Sequence, residues 1–350
     1  MTLLQYVLAD ASTWCRTSTT IDLKKIEGRV EHEGLSFLTI TLPTFCKDFE
    51  RSLDQGMVTP DLFCSFAKKG SLPRLFGGLT ELVFDRSSGR LLDEPDVTAI
   101  FFIRQITLMF KKILVPCSSE RERSAYVKYI KCENEVRTWS QSHESSDILR
   151  EFDRVCDLLW CHDLSDLDHK VHVGGLRPRH GKGATADRLY GNAKFALGTW
   201  HSRLEEYFPS GEYLIPNWGF FDRLDRVDFV EPGSEIPVKV VSVPKTLKTP
   251  RIIAMEPTCM QYAQQALLVE IVNALERSSY LANSIGFRDQ TPNQRLAREG
   301  SYNPGSFATL DLSDASDRVS NLLVCRLLRR FPHLAGAVAA CRSTTADVPG

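Results

Sequence analysis

The spacing of apolar residues changes several times along the chain, and each change marks an element. Phe45, Phe49 and Leu53 recur at helical spacing. So do Ile103, Ile106, Met109, Phe110 and Ile113 within Ile100 to Leu114, where Arg104, Lys111 and Lys112 lie largely off the apolar face. Leu35 to Leu42 (LSFLTITL) reads as a strand ended by Pro43, and Gly70 to Gly78 as a turn-rich loop. Cys117 to Arg150 is rich in Ser, Glu, Arg and Lys and predicts an exposed helix or a flexible connection. Val238, Val240 and Ser242 alternate with Lys239, Val241 and Val243. Pro244 to Pro250 then turns and Arg251 to Met255 returns, which together predict a hairpin. Tyr262 to Ala274 predicts an amphipathic helix and Gly286 to Arg295 a polar loop. Phe307 to Leu310 has the composition of a buried strand ending at Asp311. Ser313, Asp314, Ser316 and Asp317 are helix-capping types, and Val319, Leu322, Leu323 and Leu327 predict a helix packing back on that strand. The expected class is α+β. Residues 1–116 form a mostly helical region, 117–150 an exposed connection, 151–300 a region carrying the hairpin at 237–256, and 301–350 a strand and helix.

Composition adds bounds. The 350 residues are 43% hydrophobic and 25% charged, ordinary for a globular protein with a sizeable core. A net charge of -1 gives no overall pull on nucleic acid, so any such surface must be a local basic patch. The ten cysteines form no paired C-x-x-C array of the structural zinc kind. Cys156, Cys161, His162, His169 and His172 lack half the ligands of a familiar spacing, so free thiols are the expectation. The first residues lack the basic segment of a signal peptide, and no apolar run is long enough to span a bilayer.

Three stretches carry candidate chemistry. Lys239, Lys245, Lys248 and Arg251 follow one another with no acid between Glu235 and Glu256. A solvated hairpin tip does not need such one-signed charge, whereas a triphosphate site does. Arg177 to Ala184 (RPRHGKGA) sets Arg177, Arg179, His180 and Lys182 around two glycines that let backbone N–H groups approach a phosphate. It lacks the ending of a P-loop, so nucleotide hydrolysis is not supported. Asp311, at the end of a strand, is placed as Mg²⁺ ligands are. The other reading is that it merely ends a strand and Asp317 merely caps a helix. Nine aromatics between Tyr190 and Phe221 read as core more readily than as a base-stacking surface.

These stretches resemble one family. Asn293 to Ser320 (NQRLAREGSYNPGSFATLDLSDASDRVS) resembles motif A of the RNA-dependent RNA polymerases of positive-strand RNA bacteriophages, the leviviruses. VPKTLKTPRIIAMEP resembles their motif F. RPRHGKGA is similar to a glycine-proline-glycine-alanine segment, with Lys182 where the proline stands. EHEGLSFLTITLPTFCKDFERSLDQG and IRQITLMFKKILVPCS resemble the N-terminal part of the same replicases.

The resemblance implies a right-hand polymerase fold, with fingers and the start of the palm, and template-directed RNA synthesis by two-metal nucleotidyl transfer. It implies that Asp311 binds the catalytic Mg²⁺ ions, with Mn²⁺ as a substitute, and that Ser316 or Asp317 lies near the incoming ribose. Lys245, Lys248 and Arg251 would contact the triphosphate, and Arg179, Lys182, Lys239 and Arg295 the RNA. The implied partners are template RNA, nucleoside triphosphates, host translation elongation factors and a host ribosomal protein, with no membrane, in the cytoplasm of an infected bacterium. Neither a glycine-aspartate-aspartate turn nor a serine-glycine-asparagine segment occurs between Asp311 and Gly350. The chain is therefore expected to be the N-terminal portion of a replicase, truncated before the rest of the palm and the thumb and inactive alone. A non-catalytic RNA-binding fragment or decayed relative, and the narnavirus or mitovirus lineages, are the alternatives.

Overall fold

The structure, a computed structural model, describes residues 2–144, 146–303 and 305–350. Ser145 of the expected connection and Pro304 of the motif A stretch lie outside the described residues. The fold is α+β with helix predominating. It divides into two units, Met1–Ala125 with Ser242–Arg251, and Tyr126–Val241 with Ile252–Gly350.

The first unit is built on helices α1 (Thr2–Trp14), α2 (Thr20–Glu33), α3 (Leu42–Gln55), α4 (Gly77–Thr80) and α5 (Val97–Leu108), with a two-stranded ribbon of β1 (Lys68–Lys69) and β2 (Leu72–Pro73). Its centre is aromatic. Phe45 packs against Phe63, Phe66 and Phe76 at 4.7, 5.0 and 5.4 Å between ring centroids, and Phe49 meets Phe84 edge-on. Asp22 is buried among them and accepts the Phe76 amide at 2.7 Å. Burial pushes its carboxyl up from the usual carboxylate range, opposed by that amide and by Lys25. Gly70, at φ 64°, has no room for a side chain, because a Cβ there would sit 2.4 Å from the Arg86 carbonyl oxygen.

The expected strand at Leu35 to Leu42 is a correction. Phe37–Thr41 is a π-helical turn that runs into α3. Phe37, Leu38, Leu42, Phe45 and Phe49 are all buried in the same core, a demand a helical face meets and an alternating strand does not. The β-branched threonines are accommodated because Thr39 and Thr44 return their hydroxyls to the carbonyls of Leu35 and Ile40. Pro43 falls in the first turn of α3, where no N–H is required.

The stretch read as a helix or a connection is helical: α6 (Ser119–His143) and then α7 (Asp147–His172). The chain continues with β3 (Thr199–His201), α8 (Ser210–Tyr213), β4 (Asp228–Val230), β5 (Val238–Val243), β6 (Arg251–Met255), α9 (Thr258–Arg277), α10 (Thr291–Tyr302), α11 (Asn321–Leu327), α12 (Pro332–Ala340) and β7 (Ala346–Asp347). β3 and β4 pair in parallel, and a second sheet has the order β6-β5-β7, with Val238 opposite Ala346. The core joins Leu164, Leu167 and Val171 of α7 to Met260, Ala263 and Leu267 of α9 and to Leu334 and Ala337 of α12. The Asp168 carboxylate accepts the Leu334 amide at 2.8 Å and so caps α12.

Two further expectations are corrected. Residues 291–295 of the predicted polar loop open α10, started by Pro292. The aromatic region divides: Trp200, Phe208 and Tyr213 are core, whereas Tyr190, Phe195, Trp218 and Phe221 are exposed.

All ten cysteines are free. Burial raises the thiols of Cys259 and Cys341 to about 12, so neither forms thiolate near neutrality. With a thiol-alkylating reagent near pH 8, the exposed Cys64, Cys161 and Cys325 are expected to label in the folded protein, and Cys259 and Cys341 only after denaturation. Peptide mass mapping checks this; rapid labelling of Cys259 in the native protein would show that α9 is not packed as described.

Candidate functional site

The β5–β6 hairpin forms where the alternation places it. Val238 and Val240 point into the core and Lys239 is half-buried between them. Its tip carries Lys245 and Lys248, with Arg251 at the start of β6, all three exposed. None of the four cations forms an ion pair with a described residue. The tip is held from behind: the Cys117 thiol donates to the Thr246 carbonyl at 3.0 Å and the Arg121 guanidinium to the Leu247 carbonyl at 2.8 Å. Thr246 and Thr249 close the turn on each other. Arg121 has no motif to announce it in the sequence, because its partner is a backbone oxygen 126 residues away.

Asp311 lies on a stretch without regular secondary structure. Phe307, Leu310 and Leu312 are exposed, and no described strand pairs with them. The expected buried strand is thus a correction: strand composition is present, but an extended backbone becomes a strand only beside a partner that takes its N–H and C=O groups. Gly300 on α10 lets the segment come close, since a Cβ there would stand 3.0 Å from the Phe307 carbonyl oxygen. Asp311 is exposed and has no hydrogen-bond or ion-pair partner among the described residues.

The turn after Asp311 is anchored. Asp314, at φ 53°, pairs with Lys128 of α6 at 2.8 Å, and Arg318 with Glu135 of the same helix at 2.9 Å. The Cys132 thiol donates to the Asp317 carbonyl at 3.8 Å. Ser316–Arg318 is a single 3₁₀ turn, and Ser320, not the earlier Asp or Ser residues, caps α11 by accepting the Leu323 amide. α11 and the turn beyond it are held to α7 by ion pairs of Arg326 and Arg329 with Asp153, and of Arg329 and Arg330 with Asp157. Ser316 and Asp317 are exposed, with 3.3 Å between the Ser316 hydroxyl and the Asp317 carboxylate. Asp317 also lines a cavity of about 1060 Å³ between α6, α9 and α11, shared with Arg137, Glu256 and Gln264. Asp311 and the hairpin cations do not line it. Arg295 is exposed on α10.

The glycine loop contains the site's least expected residue. Arg179 and Lys182 are exposed and form no ion pair with a described residue. Beneath them Lys194, 3% exposed, donates to the carbonyls of Gly181 at 2.7 Å and Gly183 at 2.5 Å, and to Gln261 Oε1 of α9 at 3.2 Å. The loop is tied to α9 a second time where Thr258 donates to Asp187 at 2.6 Å and contacts the Thr185 hydroxyl at 3.0 Å. The sequence signal for Lys194 is only a lysine in an otherwise apolar segment, which reads as solvent-facing. His180 stacks on Tyr262 at 4.3 Å, and burial with the Lys194 charge keeps its imidazole below the usual histidine range, hence neutral near pH 7.

As to metal, no group of three His, Cys, Asp or Glu among the described residues is arranged to hold an ion. His172, at the end of α7, lies 4.2 Å from His333, ring to ring. Asp311 is one uncommitted carboxylate of the hard-oxygen type Mg²⁺ takes. It fits a partial ligand set completed by phosphate oxygens, not a closed cage. No helix among the described residues is long and apolar enough to cross a membrane.

Residues 234–350 match the family model described as RNA replicase, beta-chain. The RNA-directed RNA polymerase subunit beta of Enterobacteria phage SP is 31% identical over 219 residues, 60% of this chain and 36% of that protein. The RNA-directed RNA polymerase beta chain of Enterobacteria phage GA is 38% identical over 109 residues, 31% of this chain and 19% of the other. The corresponding subunit of Escherichia virus Qbeta is 42% identical over 90 residues, 26% of this chain and 14% of its own. The matches thus cover part of this chain and between 14% and 36% of the length of these relatives.

Proposed function

We propose, from the premise that residues 234–350 match the RNA replicase beta-chain family, that this chain is part of a phage enzyme that copies RNA from an RNA template. The observation that carries the reading is the hairpin tip. Lys245, Lys248 and Arg251 stand exposed, one-signed and without carboxylate partners among the described residues, within the segment that matches the family model. Like charges held together repel and destabilise the free hairpin; a triphosphate removes that repulsion and gains charge-assisted hydrogen bonds. Arg251 suits a two-pronged grip on a phosphate, while the lysines act as point charges.

In this reading the hairpin cations bind the triphosphate and favour departure of pyrophosphate. Asp311 offers its carboxylate to Mg²⁺, which when bound would neutralise the phosphate oxygens at the reacting centre. The anchors at Asp314 and Arg318 fix the backbone on which Ser316 and Asp317 sit beside the ribose. Arg179, Lys182, Lys239 and Arg295 bind RNA phosphates. A right-hand polymerase arrangement, of which this chain would supply fingers and the first palm element, belongs to the same proposal. So do the host translation elongation factors and ribosomal protein as partners.

The test is RNA-templated incorporation of labelled nucleotides by a protein that contains this chain at the length of its relatives. Arg251→Ala is expected to raise the nucleotide KM roughly 10- to 150-fold, the value of one hydrogen bond to a charged group, with RNA affinity nearly unchanged. RNA binding that does not respond to nucleoside triphosphate with Mg²⁺, and no incorporation, would replace this reading by that of a non-catalytic RNA-binding chain.

A further inference from the structure

The exposed aromatics divide from the core ones at a second cavity, of about 530 Å³, in the same unit as the glycine loop. His180, Phe195 and Tyr262 wall it, and Arg177 and Arg223 open onto it. Phe195 is 73% exposed although its ring meets His180 edge-on at 4.8 Å, so a ring face is left to solvent. A phenylalanine so placed gains nothing from burial, and a neighbouring base would supply the contact it lacks. His180 is fixed from behind by Tyr262, whose hydroxyl donates to the Tyr213 carbonyl at 3.1 Å. On the other side, the Arg223 guanidinium lies 4.6 Å over Phe220, and Trp218 stacks with Phe221 at 5.8 Å. Glu212 also lines the cavity and offers an acceptor for a base N–H such as that of uracil N3. The volume lies within the range of small-molecule sites.

We propose that this cavity takes one unpaired base of a single-stranded RNA, stacked on Phe195, with the flanking phosphates on Arg177 and Arg223. Arg179 and Lys182, on the same loop, then carry the strand onward. This deepens the reading of the chain as an RNA-handling protein and rests on it. A duplex does not fit, because its bases are already stacked and its phosphates alone face outward.

The full chain is tested with a fluorescent oligouridylate and with a blunt RNA duplex of equal length, across a salt series. Phe195→Ala is expected to weaken oligouridylate binding roughly 5- to 150-fold, the range for losing one base stack, with duplex affinity and salt slope unchanged. Phe195→Trp is expected to retain binding. Arg177→Ala and Arg223→Ala are each expected to flatten the salt slope for the single strand by about 0.7. Because Phe195 is exposed, these proteins are expected to melt with the wild type. Unchanged oligouridylate affinity in Phe195→Ala, or equal losses for strand and duplex, would overturn the pocket while leaving the RNA-handling reading intact. Uridine monophosphate that binds as tightly as the oligouridylate, with nothing gained from the flanking phosphates, would assign the cavity to a free nucleotide and overturn the strand as its occupant. If the wild-type chain binds neither RNA, the broader reading fails and the pocket with it.

Discussion

Asparagine in place of Asp311, in a protein that contains this chain at the length of its relatives, is expected to lower RNA synthesis by about 10³-fold or more. Loss of several kcal/mol of charge stabilisation at the reacting phosphate has that size. The substitution keeps side-chain shape and removes the negative charge, and Asp311 makes no hydrogen bond or ion pair with a described residue that folding would miss. The loss should therefore fall on kcat, with RNA affinity and thermal midpoint close to wild type. The surroundings support this separation, because the segment is fixed from elsewhere. Lys128 and Glu135 hold the turn after it, and Asp153 and Asp157 hold the arginines of α11 and of the turn beyond it. Single-turnover incorporation with a Mg²⁺ titration makes the measurement. Synthesis within a few-fold of wild type would remove Asp311 from the chemistry.

Methionine at Lys194 is expected to be the most damaging change in the glycine loop. The ammonium group is buried and serves two carbonyls and one amide oxygen, with no carboxylate among the described residues in an ion pair with it. Removing it leaves those three acceptors unpartnered at about 1–3 kcal/mol each, partly relieved by entering water. A net loss of roughly 3–5 kcal/mol corresponds to a fall of roughly 6–20 °C in the midpoint for a unit of this size. Hydrogen exchange should accelerate first over residues 179–194, since the loop loses its support before α9 does. RNA affinity should fall with it, because Arg179 and Lys182 keep their charges but lose their fixed positions. Calorimetry with exchange mass spectrometry reads all of this, and a midpoint and exchange pattern equal to wild type would show that the loop is held without Lys194.

Much of the chain is legible from its residues alone wherever a local pattern and its tertiary use agree. The β5–β6 hairpin shows in two β-branched runs on either side of a proline-bounded turn, α5 and α9 in their apolar spacing, and α11 in the leucines after Ser320. The cations of the tip are legible as chemistry because their charge has one sign for twenty residues. A property of that kind does not depend on what packs where.

The rest depends on neighbours distant in sequence. Threonine and isoleucine at 39–41 favour a strand by themselves, but a helical face is needed to bury Phe37, Leu38, Leu42 and Phe45 together. Phe307 to Leu310 has strand composition, but no described strand lies beside it to take its hydrogen bonds. Nothing local distinguishes Phe195 from Phe208, yet one is exposed beside a cavity and the other is core. Lys194 is ordinary as a letter; three oxygens from two other segments make it structural. The sequence by itself determined the chemical types available: a hairpin whose charges have one sign, a carboxylate in an acid- and serine-rich turn, and a glycine loop with cations. Tertiary structure decided which side chains are buried, which carry a partner and which are left free, because burial and pairing belong to residues brought together by folding and are written at no single position.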